Sequence, residues 1–318
     1  MRVLVTGGAG YIGSVVVAML LDAGHEVTAL DDLSTGHEDA VAPAAEFVKA
    51  SITEVGPVLA QRPYDAVLHF AARSLVGESV EHPDRYWHNN VGGTLALLDA
   101  MRAHGVPRIV FSSTAATYGE PSAVPIVEDS PAAPTNPYGA SKLAVDLVLG
   151  DYARAYDLAA VSLRYFNVAG ALLRPDAAYG ERHAVETHLI PIALQVAAGT
   201  RATLDIYGTD YPTTDGTCVR DYVHVVDLGD AHLRALDAAD PGHRVINLGS
   251  GSGYSVRQVV DAVRRATGHE LPVREVERRP GDPAVLVASN ARAAAELGWT
   301  PTRDLDQMVT DAWGFTSR

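Results

Sequence analysis

Short apolar runs alternate with helical patterns through the first half of the chain. Arg2 to Val5, Glu26 to Leu30, Ala66 to Phe70, Arg108 to Phe111 and Ala160 to Leu163 carry runs of Val, Ile, Leu and Ala with few polar breaks, as strands buried on both faces do. Between them Ile12, Val16, Met19, Leu20 and Ala23 recur at helical spacing, as do Leu95, Leu98 and Met101, so these positions are expected in the core. Strands separated by helices predict a parallel sheet. After about Gly170 the pattern loosens into a stretch rich in Gly, Pro and Asp through Gly216. It returns with a strand from Arg244 to Leu248 and a helix from about Ser255 to Ala266. The alanine-rich run Ala291 to Ala295 reads as a further helix, capped by Ser289 or Asn290 and ended at Gly298. The looser half is where a substrate-binding cap is expected.

Composition narrows the classes of partner. With 318 residues and 47% hydrophobic content, the chain is long enough for one α/β domain plus a smaller one. A net charge of −14 repels nucleic acid and anionic membranes on average, so neither is an expected partner. The apolar stretch Val3-Leu4-Val5 is too short for a signal peptide, and no segment approaches a membrane span, which predicts a cytoplasmic protein. The single cysteine, Cys218, fits a reducing compartment. Among the twelve histidines there is neither an HExxH pattern nor a Cys and His cluster, so no metal is expected, and His69 reads as a core histidine.

The first strand runs directly into Gly7-Gly8-Ala9-Gly10-Tyr11-Ile12-Gly13, where glycines at 7, 10 and 13 open a helix. Glycine permits a tight turn and brings backbone N–H groups to a pyrophosphate at the helix N-terminus, where the dipole favours negative charge. Three spaced glycines alone serve any tight turn. Here the order strand, turn, helix is followed, about 20 residues on, by Asp31 and Asp32 at the end of the second strand, where dinucleotide folds place an acid on the adenosine ribose. A carboxylate there repels a 2′-phosphate, which favours NAD over NADP. The expected architecture is therefore a Rossmann-type doubly wound parallel sheet over residues 1–170, to which segments around 217–248 return, with a smaller C-terminal α/β domain mainly over 171–318.

Tyr138 and Lys142 lie four apart in Pro137-Tyr138-Gly139-Ala140-Ser141-Lys142, which on a helix puts both side chains on one face. A phenol with an ordinary pKa of about 10 is a poor base at neutral pH, and a nearby ammonium favours its ionised form. Lys142 supplies that charge and a contact to the nicotinamide ribose. Ser112-Ser113-Thr114 follow a buried strand at its carboxyl end, where ligands of such sheets bind, and Thr114 is expected beside the reacting hydroxyl.

With turn, acid, Ser-Ser-Thr loop and Tyr-x-x-x-Lys pair in this order, the chain resembles an extended short-chain dehydrogenase/reductase. His69-Phe70-Ala71-Ala72, Val76-Gly77-Glu78-Ser79, Asn89-Asn90-Val91, Leu163-Arg164-Tyr165-Phe166-Asn167 and Asp215-Gly216-Thr217-Cys218-Val219-Arg220-Asp221-Tyr222 are similar to the UDP-glucose 4-epimerase family, across nearly the whole chain. The resemblance implies that Tyr138 takes the proton of the sugar 4-hydroxyl while the C4 hydride passes to bound NAD, with Thr114 sharing the hydrogen bond. The 4-keto sugar then turns over and receives the hydride on its other face. It implies cofactor contacts at Gly7, Gly10, Tyr11, Ile12, Asp31, Asp32, Ser51, Ile52, Phe70, Ala71, Ala72, Asn89, Ser112, Tyr165 and Phe166, besides Tyr138 and Lys142. For the UDP-sugar it implies Asn167, Arg220, Arg279 and Asp282, then His188 and Leu189 before the diphosphate, and Asp205 and Tyr207. It further implies a homodimer formed through the helix carrying Tyr138 and its neighbour.

The chain also departs from the family. Ala50-Ser51 stand where relatives carry Gly-Asp, with the acid on adenine, leaving that end to Ser51 and Ile52. Arg73 or Ser74 falls where a cofactor-contacting lysine often stands. Leu286 replaces a bulkier tyrosine of some relatives, which would admit an N-acetylated hexose. Related dehydratases and decarboxylases carry a carboxylate after the loop threonine; Ala115-Ala116 offer none, which favours hydride out and hydride in. UDP-hexose, UDP-N-acetylhexosamine and UDP-pentose 4-epimerisation remain open alternatives at this point, as does a non-catalytic NAD-binding sensor.

Overall fold

The computed structural model describes residues 1–279 and 282–317; Pro280, Gly281 and Arg318 lie outside the described residues. Strands β1 (Arg2–Thr6), β2 (Glu26–Asp31), β3 (Glu46–Lys49), β4 (Ala66–His69), β5 (Arg108–Thr114), β6 (Ala159–Tyr165) and β7 (Gly242–Leu248) form one sheet in the order β7-β6-β5-β4-β1-β2-β3. Each adjacent pair runs parallel. Alternate side chains of a strand face opposite sides, and β1 shows the consequence: Val3 and Val5 enter one apolar cluster and Leu4 the other. The first cluster holds Val16 and Leu20 of the helix Tyr11–Asp22 and Leu228 and Ala235 of the helix Val225–Asp237. The second holds Leu97 and Met101 of the helix Gly93–Ala103 and Val145 and Leu149 of the helix Pro137–Tyr156. A sheet covered on both faces needs apolar residues at successive positions, which is why its strands read as continuous runs.

Strand order reverses between β1 and β4, so a crevice opens at their carboxyl ends, the usual ligand position in such sheets. A third apolar cluster joins the helices Leu189–Ala197, Val256–Thr267 and Leu305–Thr316. Beside it Val219–Arg220 is hydrogen bonded between Tyr254–Ser255 and Val285–Leu286, with Arg220 opposite Leu286. Among the described residues no helix is long and apolar enough to cross a membrane.

Four local expectations change. Ala23 and Leu95, expected in the core, are exposed. Ser112, Ser113 and Thr114 belong to β5 itself, not to a loop after it, so their positions are set by hydrogen bonding to β6. The strand Glu46–Lys49 was not anticipated; it is short, half-exposed and ends in charges, as sheet edges are. The helix Ala291–Leu297 does end at a left-handed Gly298, but the Asn290 side chain does not cap its start. Asn290 instead donates to the Gly249 carbonyl at 2.7 Å and accepts from the Gly249 N–H at 3.1 Å, tying this helix to the end of β7.

Candidate active site

The glycine turn shows which of its residues packing alone requires. Gly7 has φ +74°, and a Cβ there would lie 2.6 Å from the Ala71 nitrogen; a Cβ on Gly13 would lie 2.0 Å from the Gly7 carbonyl oxygen. At Gly10 a side-chain carbon would meet only the Gly7 oxygen, at 3.3 Å. Gly10 is also the N-terminal residue of the helix and supplies no side-chain cap, so the first helical N–H groups of Tyr11 and Ile12 are left for an anion. Phe70 and Ala71, following β4, donate their N–H groups to the Thr6 carbonyl and press against Gly7; Ala72 follows, half-buried.

Asp31 ends β2, where its carboxylate accepts hydrogen bonds from Ala9 N–H at 3.0 Å and Leu33 N–H at 2.8 Å. Burial pushes its pKa up, and the two backbone donors oppose that rise. The acid is thus braced against the glycine turn. Asp32 is exposed and accepts from Ser34 N–H, a local turn contact. At the proposed adenine end Ser51 caps the short helical turn Ile52–Glu54 through Thr53 N–H, and Ile52 is buried against Gly93. Asn89 donates to the side chain of Asn90, and it is Asn90 that is buried. Asn90 holds both backbone groups of Arg73 and donates to Ser141, linking the segment after β4 to the helix of Tyr138.

The helix Pro137–Tyr156 starts on the Asn136 side chain, which accepts from Gly139 N–H at 2.9 Å. Lys142 is buried and donates to the Ser112 carbonyl at 2.8 Å, with its ammonium 4.8 Å from the centre of the Phe111 ring. Burial lowers its pKa to about 7, and the Asp146 carboxylate, one turn on, partly restores it. Burial raises the Tyr138 phenol, while a hydrogen bond with the Thr114 hydroxyl lowers it. Thr114, Tyr138 and Lys142 therefore converge on the carboxyl end of β5. Asp146 accepts from Ser113 at 3.1 Å and from Arg164 at 2.9 Å, an ion pair buried between the helix and the sheet. Tyr165 hydrogen bonds to Ser112, Phe166 N–H donates to the Leu248 carbonyl, and Asn167 donates its amide to the Asp221 carbonyl at 2.9 Å. Ala115 and Ala116 begin a helical turn, and the Ala116 carbonyl lies where a side chain on residue 139 would fall.

A second convergence lies in the C-terminal half. Arg220 pairs with Asp282, and Arg279 stacks on Tyr207, 3.9 Å from guanidinium to ring centre. Asp205 belongs to a different contact: it takes both nitrogens of the Arg274 fork, at 2.8 and 2.9 Å, on the surface. Arg278 repeats the stacking arrangement on Tyr211, 4.1 Å from its ring centre. Leu189 begins the helix Leu189–Ala197, and His188 before it turns its Nδ1 to Glu181, at 2.7 Å.

The sequence and fold match known proteins. A profile of the NAD dependent epimerase/dehydratase family matches residues 3–249. The chain belongs to this family. It is 57% identical to the UDP-glucose 4-epimerase of Corynebacterium glutamicum, over its full length and 96% of the relative. Its fold superposes on the crystal structure of UDP-glucose 4-epimerase from Brucella ovis in complex with NAD with a TM-score of 0.94, at 45% identity over 99% of this chain and 98% of that one. The corresponding enzyme from Bifidobacterium longum, in complex with NAD+ and UDP, gives a TM-score of 0.93 at 38% identity, over 100% and 98% of the two chains.

Within the family's frame, some side chains at the site have a role that the sequence alone did not assign. Asn90 and Asp146 are buried polar groups whose partners lie far apart in sequence, and only the fold brings those partners within reach. Tyr118, whose hydroxyl donates to Asn247 at 2.7 Å and whose ring carries the Arg164 guanidinium, was equally silent. The strongest missed signal is a spacing: Glu181, His183, Glu186 and His188 alternate acid and imidazole and converge in space.

Proposed function

We propose that the chain interconverts UDP-sugars epimeric at C4 through a 4-keto intermediate. The glycine turn and Asp31 would hold NAD, which would supply the acceptor and donor for the C4 hydride, removed from one face of the sugar and returned to the other. The observation that carries the reading is the convergence of Thr114, Tyr138 and Lys142 beside Ala115-Ala116, a site with a proton carrier and no carboxylate for elimination. Tyr138 accepts the 4-hydroxyl proton as hydride leaves and returns it when hydride comes back, so the phenol ends each cycle as it began. Thr114 steadies the phenol, and Lys142 favours the phenolate electrostatically while charged. Arg220 and Arg279 supply the positive charge that a diphosphate needs in an otherwise acidic protein, and Asp282, which pairs with Arg220 in the structure, is assigned to the uridine ribose. A coupled 4-epimerase assay with UDP-glucose and UDP-galactose tests this. Removing a general acid and base lowers kcat by about 10²–10⁴-fold, so Tyr138→Phe should fall in that range; full activity in Tyr138→Phe overturns the mechanism.

UDP-glucose and UDP-galactose are the proposed substrates, with UDP-N-acetylhexosamines also admitted. Leu286 supports that breadth: it is half-buried opposite Arg220 in the paired strands, and a tyrosine there would fill more space. Leu286→Tyr is expected to lose UDP-GlcNAc turnover while retaining UDP-glucose turnover, and Leu286→Ala to keep both. Equal losses on UDP-GlcNAc in the two variants would remove the assignment. We further propose a cytoplasmic homodimer, supported by Leu95 and Leu147, which stand 37% and 64% exposed on the helices Gly93–Ala103 and Pro137–Tyr156.

A further inference from the structure

Glu181, His183, Glu186 and His188 lie on the segment between the short strand Ala178–Tyr179 and the helix Leu189–Ala197. One ligand atom from each falls within 4.8 Å of all the others. The two imidazoles present the same nitrogen, Nδ1, to the same two carboxylates. His188 Nδ1 is 2.7 Å from Glu181 and 3.2 Å from Glu186, and His183 Nδ1 is 3.0 Å from Glu181 and 3.6 Å from Glu186. Zinc bonds of about 2.0–2.2 Å to nitrogen and oxygen set tetrahedral edges of about 3.4 Å; the four separations run from 2.7 to 3.6 Å, with Glu186 offering Oε1 to His188 and Oε2 to His183, so seating an ion takes small side-chain shifts.

Ordinary ion pairs explain part of this arrangement and fail on one atom. The Nδ1 of His183 is buried and makes no hydrogen bond among the described residues, although a carboxylate oxygen stands 3.0 Å away. The nitrogen is close to the oxygen without the N–H direction that a hydrogen bond requires, as two ligands of one ion are. Both carboxylates are largely withdrawn from water, at 8% and 7% side-chain exposure, and the two imidazoles beside them are held protonated, a positive charge that a divalent cation would replace. The segment also touches the cofactor half of the molecule. Arg182 pairs with Asp39, its carbonyl meets His37 Nε2 at 2.9 Å, and His183 lines a small cavity against Gly10 and Tyr11.

We propose that Glu181, His183, Glu186 and His188 bind one divalent transition cation of the zinc type, in a closed four-ligand site that fastens this segment over the glycine turn. Two imidazoles and two carboxylates suit zinc, and with all four positions taken by protein the ion is structural. This site takes His188 from the UDP-sugar contacts that the resemblance implies, and its zinc readout does not depend on which sugar the chain binds. The spacing E-x-H-x-x-E-x-H is neither HExxH nor a Cys-containing cluster, so it stands outside the histidine patterns that gave no metal.

The test uses the full-length, tag-free chain, stripped with chelator and then given zinc ions. One equivalent of zinc should survive desalting, and the Tm should rise on zinc addition. The double variant His183→Ala/Glu186→Gln should retain at least tenfold less zinc and show no Tm response, while a control at an exposed histidine, His104→Ala, behaves as wild type. Equal zinc retention in wild type and double variant, or none in wild type, overturns the site. Should the double variant fold poorly, cobalt ions in the wild-type chain decide. Intense visible d–d bands mark a four-coordinate ion and support the site, whereas the weak spectrum of the hydrated ion overturns it.

Discussion

The chemistry of single residues here is set by burial more than by sequence neighbours. Tyr138 and Lys142 could be picked out because four-residue spacing on a helix is visible in the chain, but the cost of burying them is not. In the fold Lys142 sits against the Phe111 ring with its one hydrogen bond to a carbonyl, and its pKa falls to about 7 from 10.5. Between those values the unfolded chain holds a proton that the folded chain has shed, so stability contributed at this residue rises with pH. The expected outcome is that wild type gains stability relative to Lys142→Met as pH goes from 7 to 9, by at most about 1.4 kcal/mol per pH unit. Urea unfolding of the cofactor-free proteins at the two pH values measures it, and parallel pH curves for the two proteins would refute it. The neighbouring Asn89-Asn90 pair shows the opposite limit: which of two adjacent asparagines is buried depends on helix phase, which sequence pattern fixes poorly.

At the scale of elements, the sheet was legible wherever a strand is buried on both faces, because such strands are continuous apolar runs. The edge strand Glu46–Lys49 escaped because its charges and exposure are what keep an edge from pairing with another sheet. The end of β5 was misplaced for a related reason: Ser112-Ser113-Thr114 reads as polar loop, yet its hydroxyls are consumed by Tyr165, Asp146 and Thr114's own helical turn. The helix Pro137–Tyr156 carries both the site on one side and Leu147 on another. A charge at 147 should therefore separate the proposed dimer without touching Tyr138. Leu147→Glu is expected to elute as a monomer in light-scattering chromatography at micromolar concentration; an unchanged dimer mass would exclude this face, and a monomeric wild type would exclude the dimer itself.

At the scale of the whole molecule, sites on both halves rest on a core that contains titratable groups kept neutral. His69 is buried between Thr6 Oγ1, at 2.7 Å, and Thr94 Oγ1, at 2.9 Å; burial first, then the Lys142 charge, lowers its pKa to about 3. His232 is buried against Phe70 and Tyr165, with its Nδ1 2.9 Å from the Leu228 carbonyl, and burial lowers it to about 4. An unfolded histidine takes up a proton near pH 6.5, whereas these two do so only well below it. Their contribution to stability is thus full above pH 6.5 and is lost as pH falls toward 4, at up to about 1.4 kcal/mol per pH unit for each. His232 isolates the effect, because burial and the Leu228 carbonyl are the causes acting on it and its Nε2 has no hydrogen bond among the described residues. Replacing it by leucine removes the titration while keeping an apolar side chain of similar size. Denaturant unfolding at pH 7, 6 and 5 should show wild type losing stability more steeply than His232→Leu between pH 6 and 5, with the two curves parallel above pH 7. Identical slopes throughout would mean that His232 charges in the folded protein as readily as in the unfolded chain, and burial would then not be what holds it neutral.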